Sequence, residues 1–123
     1  MKLGSGAFEG PYTFSSRFAN GAGTNAEELL GAAEASCFSM AFALGLEKAG
    51  FPPTRISATA SLQLGQVDGA FRITTIDLNT EAEVPGIDEA KFQEQAEIAK
   101  KNCPVSVALG GVQINLSAKL VGR

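Results

Sequence analysis

The segment from Thr24 to Pro53 constrains the fold most, because it combines a helical apolar period with a start signal and a stop. Thr24 with Glu27, or Asn25 with Glu28, has the spacing at which a capping side chain and an acidic residue satisfy the open N–H groups of a first turn. A helix from there can run to about Ala49, where Gly50 ends it and Pro52-Pro53 forbids continuation. Leu30, Ala33, Cys37, Met40, Ala41 and Leu44 recur at helical spacing, and Phe38, Phe42 and Leu46 extend the apolar surface around the other side. A helix apolar on most faces has to be covered, by a sheet, a second helix or a second subunit. Its uncharged stretch, Ala35 to Leu46, is shorter than the roughly 20 apolar residues a bilayer crossing requires. The expectation is a central buried helix, not a membrane span.

Strand signals surround it. Tyr12, Phe14 and Phe18 share one parity, which predicts a strand over residues 11–18, followed by a loop at Asn20-Gly21-Ala22-Gly23. Ile56, Ala58, Ala60, Leu62 and Leu64 alternate, Gly65 to Gly69 reads as a turn, and Phe71 and Ile73 open a return strand. The apolar parity switches by Ile76 and Leu78, which predicts a bulge or a change of buried face. Asp88 can cap a second helix to about Asn102, with Phe92, Ala96 and Ala99 on its inner stripe. Pro104 suits the first position of a short helix ended by Gly110-Gly111, and Val112, Ile114, Leu116, Ala118 and Leu120 form a last alternating strand. The order predicts an α+β fold: an antiparallel sheet with a long central helix and a second helix gathered on one face.

Composition narrows the chemistry. With 123 residues, 45% apolar and 19% charged, residues 1–123 are expected to form a single domain with a packed core. A net charge of -3 and the absence of a basic cluster argue against nucleic acid as a partner. The first residues lack the apolar core of a secretory signal, so a cytoplasmic location is expected. The chain has no histidine, which excludes Ser-His-Asp and Cys-His catalysis and removes the commonest metal ligand. Its two cysteines, far apart, make no zinc site by themselves, and no cofactor is expected.

Read alone, Cys37 is a small hydrophobe in a buried stripe, where a thiol is inert. Cys103 has better local physics, since it precedes a proline-started helix whose open N–H groups favour a thiolate, although it can equally be a plain cap residue. A structural disulfide between the two is the third reading, and a reducing compartment disfavours it. Glu27 and Glu28 read as first-turn acids complementing the helix dipole. Arg17 reads as a solvated strand residue.

Three separated segments, in order, carry a resemblance. Gly23-Thr24-Asn25-Ala26-Glu27-Glu28-Leu29-Leu30-Gly31-Ala32-Ala33-Glu34-Ala35-Ser36-Cys37-Phe38-Ser39-Met40 resembles the nucleophile helix of the OsmC/Ohr thiol peroxidases. Val84-Pro85-Gly86-Ile87, leading to Cys103-Pro104-Val105-Ser106, resembles their resolving-cysteine region, and Tyr12 to Phe18 resembles the strand carrying their arginine. The OsmC branch looks closer than the Ohr branch. The resemblance implies an intertwined homodimer that reduces organic hydroperoxides in oxidative and osmotic stress defence. It implies Cys37 as the attacking thiol, Cys103 as the resolving thiol, Arg17 as the group that orients peroxide and stabilises the thiolate, and Glu27 as the partner of Arg17. The reductant it implies is a dithiol, a dihydrolipoyl group on a carrier protein.

Helix geometry adds to this. Glu27 lies about 15 Å from Cys37 along one helix axis, so an interface site is expected, with the cysteines of one chain facing Arg17 and Glu27 of another. Two departures from the family stand out. Glu34 occupies the position three before the nucleophile, where OsmC proteins tend toward His and Ohr proteins toward Tyr, and a carboxylate there opposes thiolate formation. The family's N-terminal strand or hairpin is also expected to be missing. These departures favour the alternative of a catalytically weak, OsmC-like binding or stress-associated protein; an Ohr-branch enzyme is the other alternative.

Overall fold

The computed structural model describes residues 1–18 and 21–122, and Asn20 of the expected loop lies outside them. The elements are α1 (Phe14–Phe18), α2 (Ala26–Lys48), β1 (Arg55–Val67), β2 (Ala70–Glu83), α3 (Glu89–Asn102), α4 (Pro104–Ala108) and β3 (Gln113–Gly122). The chain divides into two units, Met1–Leu30 and Gly31–Arg123.

In the larger unit, alternation sets the sheet. Ile76, Leu78, Thr80 and Ala82 of the central strand β2 are buried, while Ser57, Thr59, Ser61, Asn79, Glu81, Ser117 and Lys119 face solvent. One face is therefore apolar and one polar, as for a sheet covered on a single side. β1 and β2 are antiparallel, from Arg55↔Glu83 to Val67↔Ala70. Their hairpin is tighter than the expected Gly65–Gly69 turn, because Asp68 and Gly69 both take positive φ (53° and 78°). That is the two-residue geometry whose twist matches paired strands. The parity switch is a bulge: Gln63 pairs with Thr75 and Leu64 with Ile73, leaving Thr74 extra.

The third strand corrects the expectation of a wholly antiparallel sheet. β3 pairs with β2 in parallel, from Thr75↔Gln113 onward, in the order β1-β2-β3. The intervening α3 and α4 are a crossover connection, which returns the chain in the same direction. The sheet is mixed and the fold is α+β.

Phe38, Phe42 and Leu46 of α2 and Phe92, Ala96 and Ala99 of α3 form the core with Leu78, Ala82, Val84 and Ile87. Phe42 meets Phe38 and Phe92 at ring-centroid distances of 5.4 Å each. By length and composition α2 also resembles a membrane span; here its inner face is filled by this core. Gly31 lets α2 approach the sheet, since a Cβ there would stand 2.9 Å from the Ala60 carbonyl oxygen.

In the smaller unit the expected strand over 11–18 is replaced by α1. Thr13 N–H donates to Ser16 Oγ at 2.9 Å, and Ser16 N–H donates to Thr13 Oγ1 at 3.0 Å. This reciprocal cap starts a helix, and Phe14 and Phe18, read as alternating, stack instead across one helical turn at 4.8 Å. Tyr12 keeps one strand-like bridge, to Thr24. Asn25 caps α2, accepting the Glu28 N–H at 2.7 Å.

Candidate active site

The larger unit brings the two cysteines together. Cys103 is the last cap of α3, its N–H donating to the Ala99 carbonyl, and also the N-cap of α4. Pinned from both sides, its sulfur is fully buried. Cys37, midway along α2, is half-buried, and both thiols are free. Burial pushes the Cys37 thiol above its ordinary value; interaction with the Cys103 side chain adds to this, and Glu34 contributes a smaller push in the same direction. The Val105 N–H acts the other way and favours the thiolate.

This changes the reading of the α4 N-terminus. Its open N–H groups were expected to serve Cys103, yet the Val105 N–H serves Cys37. Pro104 supplies no N–H, so the next donor in the turn is Val105. The sequence held no sign of this, because it depends on where α4 lands against α2.

Glu34 is enclosed on the inner stripe of α2, where its Oε1 accepts a short hydrogen bond of 2.5 Å from the Ser106 hydroxyl. Ser106 was not singled out from sequence. Its spacing from Cys103, one helical turn, is the signal that places both on one face; both are buried.

Cys37 opens into a groove of about 980 Å³, with Met40 and Leu44 of α2 on one wall and Gln95 and Ile98 of α3 on the other, beside Pro104. The volume suits a small organic ligand and the walls are largely apolar.

In the smaller unit Arg17 and Glu27 form a tight pair. Arg17 Nη2 and Nε both donate to Glu27 Oε1, at 2.7 and 3.0 Å. Arg17 sits on α1, not on a strand, and its guanidinium holds the Glu27 carboxyl below the usual range. The Thr13–Ser16 cap and the Ser16 hydroxyl bond to the Thr24 carbonyl fix α1 against the start of α2, which sets this pair.

Several known proteins are similar to this chain. The model of the OsmC-like protein family matches residues 19–117. The chain is 52% identical to Peroxiredoxin OsmC of Escherichia coli, covering 80% of this chain and 69% of that one. It is 34% identical, over the same shares, to the organic hydroperoxide resistance protein of Xanthomonas axonopodis pv. citri. A solved organic hydroperoxide resistance protein OsmC from Legionella pneumophila superposes with a TM-score of 0.80 at 21% identity, over 96% of this chain and 86% of that one. An OsmC-like protein from Vibrio cholerae superposes with a TM-score of 0.70 at 18% identity; the chain covers 64% of its length, with 78% of this chain matched. The chain belongs to the OsmC-like protein family, closer to its OsmC branch than to its Ohr branch.

Proposed function

We propose that this protein is a thiol peroxidase that reduces organic hydroperoxides to alcohols, with Cys37 as the attacking thiol and Cys103 as the resolving one. The observation that carries the reading is the asymmetry of the two adjacent sulfurs. Cys37 opens into an apolar groove, whereas Cys103 is sealed beside it. A hydroperoxide entering the groove meets Cys37 first. The thiolate attacks the terminal peroxide oxygen, the O–O bond breaks, and the alkoxide leaves as alcohol after taking a proton. The Cys37 sulfenic acid then condenses with the Cys103 thiol, releasing water and forming a disulfide. A dithiol, assigned here to a dihydrolipoyl carrier, reduces that disulfide by exchange. The names of the relatives support a peroxidase role in stress defence, and a reducing cytoplasm suits the free thiols.

Cys37 needs a cation, because its thiol is held above the ordinary range. We assign that role to Arg17, oriented by Glu27 and contributed by a second copy of the chain in a homodimer. Met40 and Leu44 are exposed on α2 beside Cys37, which leaves apolar surface for such a copy to cover. The raised Cys37 thiol also favours a second reading, a catalytically weak OsmC-like binding protein.

One experiment separates the two. Reduced protein receives one equivalent of tert-butyl hydroperoxide, and free thiols and intact mass are followed. Loss of both thiols with a mass decrease of about two daltons, abolished in Cys37→Ser, supports the peroxidase. Unchanged thiols support the binding protein.

A further inference from the structure

Disulfide formation at this site has a proton problem that one buried carboxyl is placed to solve. Condensation removes a proton from Cys103 and delivers one to the hydroxide leaving Cys37. Cys103 is fully buried, so water does not reach its thiol, and the chain has no histidine to act as a relay. Among the described residues Glu34 is the only buried carboxyl. Its Oε1 is held by Ser106, and its Oε2, buried as well, has no hydrogen-bond partner among the described residues. Buried polar atoms are almost always paired, so an orphan acceptor calls for a role. Glu34 lies one helical turn before Cys37 and Ser106 one turn after Cys103, so the carboxyl–hydroxyl pair and the thiol pair are adjacent rungs between α2 and α4. The spacing of one turn also lets Glu34 act electrostatically on the Cys37 thiol.

We propose that Glu34 is the proton carrier of the disulfide-forming step, its unpartnered oxygen taking the Cys103 proton and returning it to the hydroxide that leaves Cys37. The carboxylate removes the thiol proton, and the Cys103 thiolate attacks the Cys37 sulfur. The S–S bond forms as the S–O bond breaks with its electron pair on oxygen. The leaving hydroxide takes the proton from the Glu34 carboxyl and departs as water. The carboxylate is regenerated, so the step needs no outside acid or base. Ser106 fixes the carboxyl through the other oxygen. The assignment rests on the peroxidase reading above, and it concerns the second chemical step alone.

The test follows both steps after one equivalent of tert-butyl hydroperoxide, trapping sulfenic acid with dimedone and reading the disulfide by intact mass. In Glu34→Gln the side-chain oxygen still accepts from Ser106, but no proton can be carried. Sulfenic acid is expected to form no more slowly than in the parent, because losing the carboxylate removes one of the causes that raise the Cys37 thiol, while condensation slows by about a hundredfold, the scale of a general acid–base contribution. Glu34→His restores a proton-carrying group and is expected to restore condensation, which an effect of packing alone would not predict. If Glu34→Gln does not fold, parent condensation is compared in H2O and D2O, and slower condensation in D2O supports the proposal. Equal rates in the two solvents, or a folded Glu34→Gln that condenses like the parent, overturns it. A parent protein that loses no thiol overturns the peroxidase reading itself, an outcome distinct from a functioning parent with an unaffected variant.

Discussion

At the scale of single residues, the state of the Cys37 thiol is set by the groups around it, and two of them, Cys103 and Val105, come from outside its own helix. Burial, the Cys103 side chain and Glu34 all raise its thiol, and the Val105 N–H alone opposes them. A raised thiol holds less thiolate at neutral pH, so the thiol of the isolated chain is expected to react slowly and to gain rate as pH rises. Alkylation of Cys37 by iodoacetamide is accordingly expected to have its midpoint above the ordinary thiol value of 9.0. Cys103→Ala removes the second-largest cause and is expected to move that midpoint down. A midpoint that stays put in Cys103→Ala would show that the two sulfurs do not interact. The sequence made the cap role of Cys103 readable through Pro104, and it flagged Glu34 as a carboxylate that opposes thiolate formation. It could not show that Ser106 meets Glu34, because that contact joins residues brought together only by the α3–α4 crossover.

At the scale of elements, periodicity identified most of the structure and failed where two periods coincide. The α3 stripe of Phe92, Ala96 and Ala99 is buried as its spacing predicts, and the even-numbered positions from Ile56 to Leu64 in β1, from Ile76 to Ala82 in β2 and along β3 are the more buried ones. Residues 14–18 fail because Phe14 and Phe18 satisfy both a period of two and a helical turn; the Thr13–Ser16 cap decides the matter. The direction of β3 also escaped the pattern, since alternation is the same in parallel and antiparallel strands. On α2 two apolar stripes were legible, and packing chose the Phe38, Phe42, Leu46 stripe for the core while leaving Met40 and Leu44 outside. Gly31 is a point of close approach between α2 and β1, with room for no Cβ beside the Ala60 carbonyl oxygen. Gly31→Ala places a methyl against the Ala60 backbone, which cannot yield as a side chain can. It is expected to destabilise the fold by about 1–3 kcal/mol in urea unfolding despite the better helix propensity of alanine. An unchanged or improved midpoint would mean that α2 can lift from β1 without loss.

At the scale of the whole molecule, the exposed stripe on α2 connects stability to function. Met40 is 76% and Leu44 52% exposed, and both line the groove into which Cys37 opens. Exposed apolar side chains scattered singly need no explanation, but here they adjoin the site and run along a helix that is apolar on most faces. In the homodimer proposed above, a second copy covers this stripe and supplies another Arg17 to Cys37. Both consequences hang on the same surface, so one substitution tests them together. Leu44→Glu places a charge on the stripe, about two helical turns from Cys37, and leaves the buried Phe38, Phe42 and Leu46 untouched. Sedimentation is expected to show a dimer for the parent and a folded monomer for Leu44→Glu, with the monomer losing thiols to tert-butyl hydroperoxide more slowly. Arg17→Gln separates the two consequences, because it is expected to stay dimeric yet react as slowly as the monomer. A monomeric parent, or a monomeric Leu44→Glu variant that reacts at the parent rate, would show that Cys37 needs no second copy and that its activating charge has to be sought within one chain.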